Sequence, residues 1–342
     1  MVVLMKELRV AASVALRLLA SLAVILVALA PGPRASAQPE RLVLALYYPW
    51  YGLDTWSDPV LSDTPAIPYL GTDPDAIARH VGWAKDAGID VLVSAWFGPT
   101  GDNPTESAFR TLLDAASAQG IRAAVMLETD DPTFFPSLGS QREALAYTLG
   151  VHAQHPAYLR HDGRPVIFFW RPRGIFVGSQ RANRDGPPAV EAWARLRDEV
   201  DPDRSSVWIA ESEALTYLPV FDGMFFYNVA GLADPAGLMA RLGRSVHDFG
   251  FGVGAEKLWV ATAMPGYDDT RLLDRRNRFA VDRGNGAFLR RTFDAASASA
   301  ADWIMIVSFN EWAEGHQLEP SVTYGSLYLE VSRELVSSWK SE

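Results

Sequence analysis

The densest group of chemically capable residues in the chain is Ser308-Phe309-Asn310-Glu311-Trp312-Ala313-Glu314-Gly315-His316-Gln317-Leu318-Glu319-Pro320. Within it, Glu311 and Glu314 form the candidate catalytic pair. Two carboxylates are the usual equipment for cutting a glycosidic bond: one protonates the leaving oxygen and the other acts as base or nucleophile. A spacing of three would send the two side chains to opposite faces of a strand, whereas a helical turn puts them on one side. Gly315 can take a positive φ, so a turn just past a strand would aim both at one bound sugar. The alternative is a surface turn with both glutamates in water. Burying them beside Trp312 is costly unless they are hydrogen-bonded. His316 is placed to orient a carboxylate or bond a hydroxyl, or it serves the fold alone.

The elements that must position this group are legible as an alternation. Short apolar runs rich in Val, Ile and aromatics read as buried strands at residues 42–48, 91–97, 123–127, 166–170, 207–210, 224–227, 258–263 and 303–309. Between them, helical patterns cover residues 73–87, 105–119, 142–153, 188–200, 235–249, 287–301 and 324–339, with a short weak one at 214–221. Eight strand–helix units in one domain predict a (β/α)8 TIM barrel. A doubly wound sheet would place a Gly-rich phosphate turn after its first strand, and this chain has Tyr47-Tyr48-Pro49-Trp50-Tyr51 there.

A barrel of this kind carries its site at the C-terminal ends of the strands. Those ends hold Tyr48, Trp50 and Tyr51, then Trp96, Glu128, Tyr227 and Asn228, Tyr267 and Asp268, and finally Asn310 and Trp312 with the two glutamates. Together with His316 these are the candidate substrate-binding residues. Aromatic faces stack on sugar rings and carboxylates bond hydroxyls, so the expected partner is an oligo- or polysaccharide. Taken singly, each aromatic is more readily core packing than binding, but eight strand ends sharing one chemistry are harder to assign to packing.

Composition narrows the class further. The chain has 342 residues, 49% hydrophobic and 21% charged, with a net charge of -10 and no cysteine. These values exclude a disordered chain, disulfide scaffolds and thiolate metal sites. The acidic balance opposes nucleic-acid binding. No metal and no cofactor is expected. Lys6 and Arg9 precede the apolar run 18–30 and the small-residue site Ala35-Ser36-Ala37, which predicts a signal peptide over 1–37 cleaved after Ala37. A secreted barrel domain, residues 38–342, would remain, with no stable membrane insertion. An uncleaved N-terminal anchor is the rival reading. His152 and His155 read as a surface pair.

Four segments, YYPWYG (Tyr47–Gly52), AGID (Ala87–Asp90), PGYDDTR (Pro265–Arg271) and SFNEWAEGHQLEP (Ser308–Pro320), resemble glycoside hydrolase family 99, the endo-α-mannosidases and endo-α-mannanases. The resemblance implies a (β/α)8 barrel and metal-free, retaining endo-hydrolysis of α-mannosides or related α-glycans. It also implies roles. Glu311 would act as base on the substrate's own 2-hydroxyl, forming a 1,2-anhydro sugar, and Glu314 as acid and then base. Glu314 would then need a raised pKa. Ala313 departs from the His common in the mannosidases. A non-hydrolytic carbohydrate-binding or polysaccharide-biosynthesis protein on the same barrel is the alternative.

Overall fold

The computed structural model describes residues 40–101 and 103–341. The expected leader and its cleavage point lie outside the described residues. The compact unit Arg41–Glu342 is built on eight parallel strands: β1 (Leu42–Tyr47), β2 (Val91–Trp96), β3 (Arg122–Glu128), β4 (Arg164–Trp170), β5 (Val207–Glu211), β6 (Gly223–Phe225), β7 (Leu258–Ala263) and β8 (Trp303–Ile306). Each pairs with the next, and β8 returns to β1 in the register Leu42↔Trp303 through Ala45↔Ile306, which closes the barrel. Strands such as β1, β2 and β7 are buried along their whole length. This is why they read as continuous apolar runs and not as alternating ones.

Seven α-helices follow among the described residues: α1 (Pro74–Asp86), α2 (Pro104–Gln119), α3 (Leu138–Gly150), α4 (Pro187–Val200), α5 (Pro235–Val253), α6 (Ala287–Ser297) and α7 (Leu327–Ser341). Local chemistry sets their ends. Asp73, Asn103 and Asp234 cap the N-termini of α1, α2 and α5, each followed by proline at the first helical position. Gly120 and Gly254 take positive φ and end α2 and α5. A capping box between Ser137 and Ser140 starts α3 earlier than the residue 142 expected. The weak pattern at 214–221 forms only a 3-10 turn, Leu215–Tyr217, so β5 reaches β6 without an α-helix.

The core lies inside the barrel and between barrel and helices. Trp96, Trp193, Trp208, Trp259, Trp303 and Trp312 are among its largest fully buried side chains. Six of the 11 tryptophans are therefore packing. No helix among the described residues is long and apolar enough to cross a membrane. The expected surface pair of histidines is half right: His155 faces Asp114 near solvent, but His152 is buried against Glu106 at 2.9 Å.

Candidate active site

Beyond β8 the chain turns through Trp312–Gly315, and Gly315 has φ 61°. A Cβ on Gly315 would stand 3.1 Å from both Asp268 Cβ and Ser62 Oγ. Both the left-handed backbone and the crowding require glycine here. The turn aims Glu311 and Glu314 into one cavity of about 370 Å3 at the C-terminal end of the barrel. Tyr48 and Trp50 line it from the end of β1, Glu128 from β3, Trp170 and Arg171 from β4, and Tyr227 from just beyond β6. Leu272 and Arg275 reach in from the loop between β7 and α6.

The two glutamates sit in unlike surroundings. Glu311 is 7% exposed; its Oε1 accepts from the backbone N–H of Ala313 at 3.1 Å. Burial, and then the neighbouring Glu314, push its pKa up to about 8. Burial pushes Glu314 upward too, but His316 and Arg275 outweigh it and hold its pKa down at about 2. Arg275 Nη2 donates to Glu314 Oε1, and His316 Nε2 lies 3.1 Å from Oε2. Ser308 Oγ accepts from Glu311 N at 2.7 Å and lies 3.0 Å from His316 Nδ1. With the Ser308 hydroxyl donating to Nδ1, Nε2 carries the proton and donates to Glu314. The raised pKa expected for Glu314 is thus reversed in this arrangement: the proton the pair shares rests on Glu311.

A tyrosine relay borders the pair. Tyr227 Oη is 3.1 Å from His316 Nε2, 3.4 Å from Glu314 Oε2 and 3.3 Å from Tyr48 Oη. Burial raises the pKa of both phenols, so both keep their protons. Glu128, also buried, is pushed up to about 8 by desolvation, against the pull of Arg171. The cavity thus holds three carboxylates, two guanidiniums and four aromatic rings.

The structure brings together six of the candidate residues on the cavity wall, Tyr48, Trp50, Glu128, Tyr227, Glu311 and Glu314, with His316 fully buried directly behind. It corrects others. Trp96 is fully buried, donates to Glu106 Oε2 at 2.9 Å and stacks on Tyr147, so it faces the helices. Trp312 is likewise core, donating to Glu319 at 3.2 Å. Asn310 is a clamp. Its Oδ1 accepts from Tyr48 N at 2.7 Å, its Nδ2 donates to Tyr48 O at 2.9 Å, and it thereby fastens the end of β8 to the end of β1. Tyr51 bridges Asn310 O and Trp312 N from below. Asn228 caps its own turn through Ala230 N and does not line the cavity. Tyr267 and Asp268 line a neighbouring cavity; Tyr267 touches the partners of Glu314, accepting from Arg275 at 2.8 Å and stacking on His316. Arg275, Arg171, Trp170 and Leu272 were not among the candidates. Trp170 closes the fourth apolar run and Arg171 follows it directly, so both could have been chosen from that position. Arg275 lies in a patternless loop and is placed by Asp269, at 3.2 Å.

The family model of glycosyl hydrolase family 99 matches residues 64–330. A glycoprotein endo-alpha-1,2-mannosidase-like protein of Mus musculus is 26% identical over 359 residues, covering 88% of this chain and 74% of its own length. A glycoprotein endo-alpha-1,2-mannosidase of Rattus norvegicus is 24% identical, covering 88% and 75%. A family 99 endo-alpha-mannosidase structure from Bacteroides thetaiotaomicron superposes with a TM-score of 0.72 at 24% identity, covering 89% of this chain and 98% of its own.

Proposed function

Since the chain belongs to glycosyl hydrolase family 99, we propose that this glycoside hydrolase cuts α-mannosidic or closely related α-glycan linkages within a chain, with retention of configuration. The observation that carries the reading is the pair of glutamates, Glu311 buried and Glu314 partly so, lining one cavity with tyrosine and tryptophan faces.

In the proposed mechanism Glu311 takes the proton of the substrate's 2-hydroxyl as that oxygen bonds to C1. The C1–O bond to the leaving sugar breaks, and Glu314 gives that oxygen a proton. Glu314 then takes a proton from water as the water oxygen attacks C1. The 1,2-anhydro ring opens and O2 regains its proton from Glu311. Two inversions give retention. The roles require the shared proton to pass to Glu314, and release of Arg275 from Glu314 favours that step by removing the cation that holds its carboxylate ionised.

Glu311→Gln and Glu314→Gln should each lower oligosaccharide release from α-mannan by about 10²–10⁴-fold while the folded state survives. Product analysis by NMR on a panel of α-mannans and α-glucans checks linkage and anomeric outcome together. Full activity in both variants overturns the roles. Export follows from the leader over residues 1–37. N-terminal sequencing of the exported protein should begin at Gln38; a membrane-held chain that keeps its leader overturns this.

A further inference from the structure

A second cavity, of about 540 Å3, opens on the same end of the barrel. It shares a wall with the first. Asp268 N donates to Glu314 O at 2.8 Å across the Gly315 turn. Tyr267 lines the second cavity while its hydroxyl holds Arg275, which lines the first. The volume falls within the range of ligand pockets, about 300–1,000 Å3.

Its lining suits hydroxyl groups. Asp63, Asp268 and Asp282 each commit one oxygen to a nearby turn, through Thr323 and Thr64, Thr270, and Gly284 respectively. Two acceptors of residues that line this cavity, Asp63 Oδ2 and Gln317 Oε1, are buried without a hydrogen-bond partner among the described residues. Such groups cost about 1–3 kcal/mol each until a donor reaches them. The cations here are already engaged. Arg283 donates to Gln317 O at 2.9 Å and Gly315 O at 3.0 Å and lies over the rings of Tyr324 and Tyr328. Arg271 donates to Leu61 O. An anion entering this cavity would meet three carboxylates. A chelated metal ion would need converging ligands. Among the described residues, the one set of three His, Asp or Glu ligand atoms within 4.8 Å of one another is His161, Asp162 and Glu256, at the opposite end of the barrel. An uncharged, donor-rich group beside the rings of Tyr267 and Tyr324 fits best.

We propose that the second cavity binds a neutral sugar residue of the same glycan, away from the bond being cut, so that the enzyme holds one chain at two places. The inference rests on the reading of this protein as an α-glycan hydrolase. Linking two weak sites through one substrate raises the affinity for long chains without new chemistry at the cut.

Ala280 is exposed on the rim, so Ala280→Trp fills the cavity from outside; Asp282→Asn removes an acceptor charge. In both variants the KM for α-mannan, divided by the KM for the shortest cleaved oligosaccharide, should rise by about tenfold, the scale of one lost hydrogen bond to a charged group. An unchanged ratio overturns the second site and leaves the activity standing. If the wild type cleaves no α-mannan, the activity has failed, and calorimetry with α-mannan oligosaccharides then reads the site alone. Binding weakened about tenfold by Ala280→Trp supports it; equal binding, or none to the wild type, overturns it.

Discussion

Arg275 and His316 make two neighbouring glutamates chemically unequal. Glu311 is buried and Glu314 partly so, and desolvation alone would raise both pKa values. The guanidinium and the imidazole hydrogen-bond to Glu314 and lower its pKa most, whereas the pull of Arg275 on Glu311 is outweighed by burial and by Glu314, so Glu311 is left with the proton. The sign of a test follows. Removing the cation in Arg275→Met takes away a stabiliser of the Glu314 carboxylate, so the pKa of Glu314 rises from about 2. If Glu314 is the acid, the alkaline limb of kcat/KM moves to higher pH; a limb that stays or moves down removes Arg275 from this role. The limb reports the coupled pair and not one residue. None of this ordering was legible in the sequence. The glutamates and His316 announce themselves by spacing, but Arg275 reaches them only because the loop carrying it folds back across Tyr267 and Asp269.

At the scale of elements, the seam between β8 and β1 decides whether the cavity has walls. Asn310 holds both the N–H and the carbonyl of Tyr48, and Tyr69 joins it from the β1–α1 loop at 3.2 Å. Tyr69 and Trp312 in turn donate to Glu319, which lies 3.2 Å from His80 on α1. Asn310→Ala leaves the buried Tyr48 N–H without its acceptor, and should cost about 1–3 kcal/mol by chemical denaturation together with a raised KM. Stability and KM equal to wild type would show that the seam does not depend on this clamp. All eight strands were legible because each is a continuous apolar run in a fully covered sheet. The faces of their last residues were not. Successive residues alternate between barrel interior and helix layer, so Trp96 and Tyr48, both at strand ends, point to different places. Trp96 meets Glu106 and Tyr147; Tyr48 meets Tyr227 in the cavity. A strand-end position names a candidate, but parity decides its destination. The weak helical pattern after β5 gave way to a 3-10 turn because only a short stretch separates it from β6.

Over the whole molecule, the site weakens the fold that carries it. Glu128 and Glu311 have pKa values near 8 in the folded protein, well above the roughly 4.3 of an unfolded glutamate. A raised folded pKa gives stability that is complete below the unfolded value and is lost as pH climbs through the folded one. Glu128→Gln does not titrate, so its melting temperature should exceed that of wild type increasingly from pH 5 to pH 8.5, by about 2–4 °C for each 1 kcal/mol. Calorimetry at several pH values checks this, and parallel curves would contradict it. The single-barrel architecture was legible from the count of runs and the length, whereas the carboxylate cost depends on which side chains the closed barrel takes out of water. Closure itself has a consequence in time. The strand that closes the barrel against β1 is β8, more than 250 residues later, and the segment just beyond it bears both glutamates. A chain emerging N-terminus first therefore cannot assemble its catalytic cavity until nearly all of it is available. During synthesis the nascent polypeptide therefore lacks this cavity, which arrives with the last strand to be delivered.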